Sequence, residues 1–133
     1  MKIFLLALLG FILLDVLLVF YVVLKHSRKK LSDRVIAEIQ GEWKKIIRQS
    51  DWRHAVMDAD KLLDHALMNL GYKGNLGNKL KASGARFKNI NKVWAAHKVR
   101  NNIAHQINFK LDEDAYRTAM LSFKEAFKDL KIF

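Results

Sequence analysis

The sequence predicts an all-α protein: an N-terminal transmembrane helix followed by a four-helix up-and-down bundle with a glycine-rich insertion. Three observations predict it. The run from Ile3 to Leu24 is almost wholly apolar, long enough to cross a hydrocarbon layer of about 30 Å as a helix. Beyond it, apolar residues recur at spacings of three and four, the period of an amphipathic helix. There is no proline in 133 residues, and no segment alternates with the period of a strand, so long uninterrupted helices are expected.

The N-terminal segment is read as a retained signal anchor with its basic flank, residues 1–30. A cleaved signal peptide has a shorter apolar region, about 7–15 residues, and a small-residue cleavage site. Here the run ends Tyr21-Val22-Val23-Leu24 without one, directly before Lys25, His26, Arg28, Lys29 and Lys30. Lys2 and the amino terminus are the only charges ahead of it. That asymmetry predicts a single-pass protein, attached through residues 3–24, with its C-terminal part in the cytoplasm. Asp15 lies mid-segment, where an acid costs about 2.5–3.5 kcal/mol on insertion scales. It is either a contact for a partner helix or an isolated acid that the surrounding Leu, Ile, Phe and Val outweigh.

Residues 31–133 form the expected helical domain. Ser32 caps a helix to about Arg48 with Val35, Ile36, Ile39, Trp43, Ile46 and Ile47 on one stripe. After Ser50-Asp51 a second helix runs from Trp52 to Leu70, with Ala55, Val56, Ala59, Leu62, Leu63, Ala66, Leu67 and Leu70 inward and Gly71 at its C-terminal cap. Residues 71–88 are loop-rich, with a short helix expected near Leu76–Ala82. A helix from Asn89 to Ala104 follows, facing inward through Ile90, Val93, Trp94 and Ala104. Asp112 caps a last helix to about Leu130, with Ala115, Ala119, Met120, Phe123, Ala126, Phe127 and Leu130 inward. Trp43, Trp52 and Trp94 are expected in the core.

The formal net charge is +11. Without the five cations and one acid of the first 30 residues, 19 Lys and Arg remain against 12 Asp and Glu. The excess favours polyanions such as nucleic acid, nucleotides or anionic lipid. It concentrates between Gly71 and Leu111, where nine cations (Lys73, Lys79, Lys81, Arg86, Lys88, Lys92, Lys98, Arg100, Lys110) meet no acid. Lys81, Arg86, Lys88, Lys92 and Lys98 are the candidate phosphate-binding residues. His97 and Asn101 share the inward sector of the Asn89–Ala104 helix, with Arg100 at its edge, so they require polar partners. Asp60 is one candidate partner for Arg100, and His97 by itself reads as a satisfied core histidine.

Several chemistries are excluded or weak. With no cysteine, disulfides and thiolate metal sites are ruled out. Asp58, Asp60, Asp64 and His65 lack an evident completing ligand and read as an ordinary helix face, so no metal is expected. Gly71-Tyr72-Lys73-Gly74-Asn75-Leu76-Gly77 is followed by no Gly-Lys-Ser/Thr and is no Walker loop.

Arg100-Asn101-Asn102-Ile103-Ala104-His105 fits the Arg-x(4–6)-His motif of the HEPN superfamily, and Asn101 fits the polar residue that often follows its arginine. The motif also falls near the end of a late helix, as in that family, and the resemblance spans roughly Ser32 to Leu130. It implies a dimer binding RNA or nucleotides, and in many members a metal-independent endoribonuclease needing no cofactor. By that resemblance Arg100 braces the phosphate, His105 transfers the proton and Asn101 orients the pair, leaving a 2′,3′-cyclic phosphate and a 5′-hydroxyl. It further implies an inhibitory protein partner. Other members of the superfamily are non-catalytic, so a membrane-tethered dimerisation or interaction module is the alternative.

Overall fold

The computed structural model describes residues 1–133, apart from the side chains of residues 26–28. The His26 and Arg28 part of the basic flank therefore lies outside the described residues. Among the described residues the protein is all-helical: α1 (Lys2–Arg28), α2 (Asp33–Ile46), α3 (Trp52–Asn69), α4 (Leu76–Ser83), a 3₁₀ turn (Gly84–Arg86), α5 (Ile90–His105) and α6 (Glu113–Asp129).

Helix α1 is apolar over Lys2–Lys25, a stretch of 24 residues that extends about 36 Å at 1.5 Å per residue. It is long and apolar enough to cross a membrane. Its described side chains are exposed, and the core is built entirely from residues 31–132.

The other helices begin where their capping residues stand. Ser32 accepts from the Val35 amide, Asn75 from Asn78, Asn89 from Lys92 and Asp112 from Ala115, each satisfying an amide that the first turn leaves orphaned. Asp51 caps α3 by accepting from the amides of Arg53 and His54 at 2.9 and 3.1 Å. The His54 amide bond chiefly, helped by the His54 ring and the Arg53 amide, outweighs desolvation and holds the Asp51 carboxyl below its ordinary 3.8. A depressed folded value stabilises above the unfolded pKa and loses that stability as pH falls through the folded one. Asp51→Asn, which caps without titrating, is expected to melt below the wild type at pH 7. The gap in Tm should close as acid takes the pH below 3.8.

Helix ends are set as plainly. Gly71 takes φ 94°, the Tyr72 amide reaches back to the Leu67 carbonyl and the Gly71 amide to Met68, which is a Schellman closure. The last helix closes the same way through Ile132 to Phe127 and Lys131 to Lys128. There the left-handed position, φ 63°, is held by Lys131, whose Cβ makes it costly. Lys131→Gly is expected to raise stability by about 0.5–1 kcal/mol, read as a rise in urea midpoint at constant m.

Helix α3 packs against α2, α4, α5 and α6, and α5 packs against α6. Every residue of the predicted α3 stripe is buried, as its position among four neighbours requires. Trp43, Phe127 and Phe133 meet edge to face with centroids 5.4–6.4 Å apart, joining α2, α6 and the C-terminus.

Three expectations of facing fail. Trp52 is 39 % exposed and stacks on Tyr116 at 5.1 Å, because it opens α3 at the rim. Ile47 follows the end of α2 and is 51 % exposed. Ala104 is exposed, whereas Val93, Ala96 and Ile103 are the buried residues of α5. The apolar residues of α5 are spread around its circumference, so its phase is set by packing on α3 and α6 rather than by its own pattern.

Candidate functional site

The site is built where α5 crosses α3. Asp60 is 3 % exposed, an acid within the otherwise apolar face of α3, and such a group requires partners. His97 and Arg100, one turn apart on α5, supply them. His97 Nδ1 lies 2.8 Å from Asp60 Oδ1, and Arg100 Nε lies 3.3 Å from Asp60 Oδ2. The arginine contact is an ion pair without a well-aligned hydrogen bond, since its buried Nε has no hydrogen-bond partner. Asn101 closes the circuit: it accepts from an Arg100 terminal nitrogen at 3.1 Å, and its amide nitrogen lies 3.3 Å from His97 Nε2.

One donor assignment is consistent with every hydrogen bond of the circuit. Arg100 only donates, so Asn101 presents its oxygen to Arg100 and its NH₂ to His97 Nε2. The Asp60 carboxylate accepts from His97 Nδ1. The imidazole is therefore the Nδ1–H tautomer, with the Nε2 lone pair turned toward Asn101. The Trp94 ring stands edge-on to it at 6.0 Å.

Around this circuit opens a cleft of about 460 Å³, lined by Asp60, Lys61 and Asp64 of α3, by Asn75, Leu76 and Gly77 at the start of α4, and by His97, Arg100 and Asn101. A Cβ added to Gly77 would lie 3.4 Å from Asn75 Oδ1 and 3.7 Å from the Trp94 ring, so the loop sits close over α5. Lys79, expected on the basic surface, is instead 4 % exposed and pairs with Asp64 at 2.8 Å. The cleft thus presents cations and carboxylates in near balance.

The structure brings Arg100 and Asn101 together at this cleft. It leaves His105 exposed at the last residue of α5, outside the cleft lining. The connector beyond it is held by Arg53, which donates to the Phe109 carbonyl at 2.7 Å and to the Ile103 carbonyl at 3.3 Å. Arg53 thereby neutralises the carbonyl end of α5. Sequence reasoning missed this residue: an arginine in the first turn of a helix carries no signal of a partner 50 residues away.

The five candidate phosphate-binding cations are dispersed. Lys88 and Lys92 border a second concavity of about 350 Å³ shared with Glu125, Lys128 and Asp129, and Lys92 lies 3.5 Å from Glu125. Arg86 donates to the Tyr72 hydroxyl at 2.8 Å and to the Lys29 carbonyl at 3.0 Å, tying the base of α1 to the domain. Lys81 and Lys98 are exposed and line neither concavity. The acid-free segment of the sequence is thus partly neutralised in space by acids from α3 and α6.

The carboxylates weighed as metal ligands are separately engaged. Asp60 holds His97 and Arg100, Asp64 holds Lys79, Asp58 accepts from Gln49 and His65 faces Glu38. Compared with models of known families, with curated proteins and with solved structures, the chain has no match.

Proposed function

We propose that this chain is a single-pass membrane-anchored RNA-binding protein whose residues 31–133 form a HEPN-like four-helix bundle in the cytoplasm. It acts as a dimer and cleaves RNA without a metal through Arg100 and His105. The observation that carries the reading is Arg100 beside Asn101 on the wall of an open cleft, 26 % of the arginine side chain remaining exposed. A guanidinium so placed keeps donors for a phosphate, which it can grip through two parallel hydrogen bonds. The position of His105, five residues on and exposed, fits a proton-transfer group completing the site of a second copy.

A second reading rests on a different feature of the same arginine. Arg100 is already paired with a buried carboxylate, as suits a non-catalytic, membrane-tethered dimerisation module. The test is the full-length chain in detergent micelles, incubated with mixed labelled RNA in EDTA beside His105→Ala. The expected result is cleavage with 2′,3′-cyclic phosphate ends, reduced about 10²–10⁴-fold in the variant. A folded wild type that leaves RNA intact decides for the module.

A further inference from the structure

We infer that His97, oriented by Asp60, is a second proton-transfer residue of the Arg100 cleft; this inference rests on the ribonuclease reading above. Within one chain, His105 does not line the cleft that holds Arg100. His97 does, and it has the three attributes that proton transfer demands. Its tautomer is fixed, because the Asp60 carboxylate accepts from Nδ1 at 2.8 Å. Its lone pair is therefore on Nε2, the nitrogen facing Asn101. The bond occupying that lone pair is weak: Asn101 Nδ2 stands 3.3 Å away, at the long limit for such a contact, and a hydroxyl can displace it at small cost.

A carboxylate behind an imidazole, with the other ring nitrogen weakly held beside a cleft, is the arrangement by which a base is kept in one tautomer and its imidazolium stabilised. Arg100 sits one turn further along α5, held to the same carboxylate through Oδ2. Asp60 thus sets the relative positions of base and phosphate clamp, while Asp60 itself touches no substrate. Other charged groups face the cleft: Lys61 and Asp64 on α3, the latter neutralised by Lys79 of α4.

The step balances without a metal. The 2′-hydroxyl of a ribose in the cleft gives its proton to His97 Nε2 as its oxygen bonds to the adjacent phosphorus. The bond from phosphorus to the 5′-oxygen breaks, and that oxygen takes a proton from His105 of a second copy. Water then carries the proton from His97 back to His105, restoring both. Arg100 stabilises the charge gathering on the phosphorane oxygens.

The test uses the full-length chain in detergent micelles, with folding of every variant checked by circular dichroism. His97→Gln is expected to lower kcat for RNA cleavage about 10²-fold or more. Asp60→Asn is expected to lower kcat, because an asparagine can donate to Nδ1 and favour the wrong tautomer. Nitrogen NMR reads that change directly: the proton sits on Nδ1 of His97 in the wild type and moves to Nε2 in Asp60→Asn. A wild-type titration with an RNA oligonucleotide whose 5′-bridging oxygens are replaced by methylene, which keeps the 2′-hydroxyl and cannot be cleaved, should also shift the His97 Nε2 resonance, a measurement independent of whether the variants fold. Wild-type cleavage that survives His97→Gln, or a His97 resonance unmoved by the oligonucleotide, overturns the role of His97 and leaves the Arg100 and His105 reading standing. No cleavage by the wild type overturns both.

Discussion

Arg100→Ala in the full-length chain should cut RNA cleavage in EDTA by about 10²–10³ in kcat/KM, the size of effect seen when one fixed donor to a developing anion is removed. The expectation follows from where the guanidinium is held. Asp60 Oδ2 at 3.3 Å and Asn101 Oδ1 at 3.1 Å fix its orientation on the cleft wall, so little ordering remains to be done when a phosphate arrives. Arg100→Lys should recover only part of the loss, because an ammonium keeps the charge and forfeits the planar fork. The same variants separate chemistry from folding. Arg100 is partly exposed, and His97 still holds Asp60 when the arginine is gone, so the thermal midpoint should fall far less than the rate. Cleavage by Arg100→Ala at the wild-type rate would falsify the assignment of this cleft as the reactive one.

The largest effect on stability is expected at Phe127. Its side chain is fully buried and packs edge to face between Trp43 and Phe133, so truncation removes apolar burial, opens a cavity and deletes two ring contacts. Phe127→Ala should cost about 3–5 kcal/mol, a large share of the roughly 5–15 kcal/mol available to a domain of this size. Phe127→Leu should cost markedly less, since it refills most of the volume. Urea unfolding followed by tryptophan fluorescence reads this well, Trp43 lying against the deleted ring. An unchanged midpoint in Phe127→Ala would show that the α2–α6 seam contributes little to stability.

Much of the fold was legible because its signals are local. Capping side chains act within three residues, so Ser32 and Asp112 announce helix starts, and the restart at Ser50-Asp51 and the helix placed from Asn89 also stand within a residue of the structure. The eight residues of the stripe from Ala55 to Leu70 are all buried, because α3 is covered on several sides. Helix α5 resisted the same treatment. Its apolar residues do not converge on one face, and it buries Val93, Ala96 and Ile103 while leaving Ala104 exposed, although His97, Arg100 and Asn101 line the cleft as their shared sector predicted. Asp60 could be named as a partner of Arg100 from the border of its stripe, but its bond to His97 could not.

The sequence alone was enough for the quantities that depend on neighbours along the chain: an apolar N-terminal helix, the succession and limits of the helices beyond it, and the Arg100-to-His105 hexapeptide near the end of the fifth. Only the tertiary structure decided which charges survive as charges. Lys79 disappears into a pair with Asp64, Arg86 is drawn to the base of α1, and Lys92 is answered by Glu125. It also decided that Arg100 shares its cleft with His97 while His105 stands outside. The reason is range: caps and helical periods act over a few residues, whereas the field at a site sums groups that are 15 to 57 residues apart and meet only when the helices are packed together.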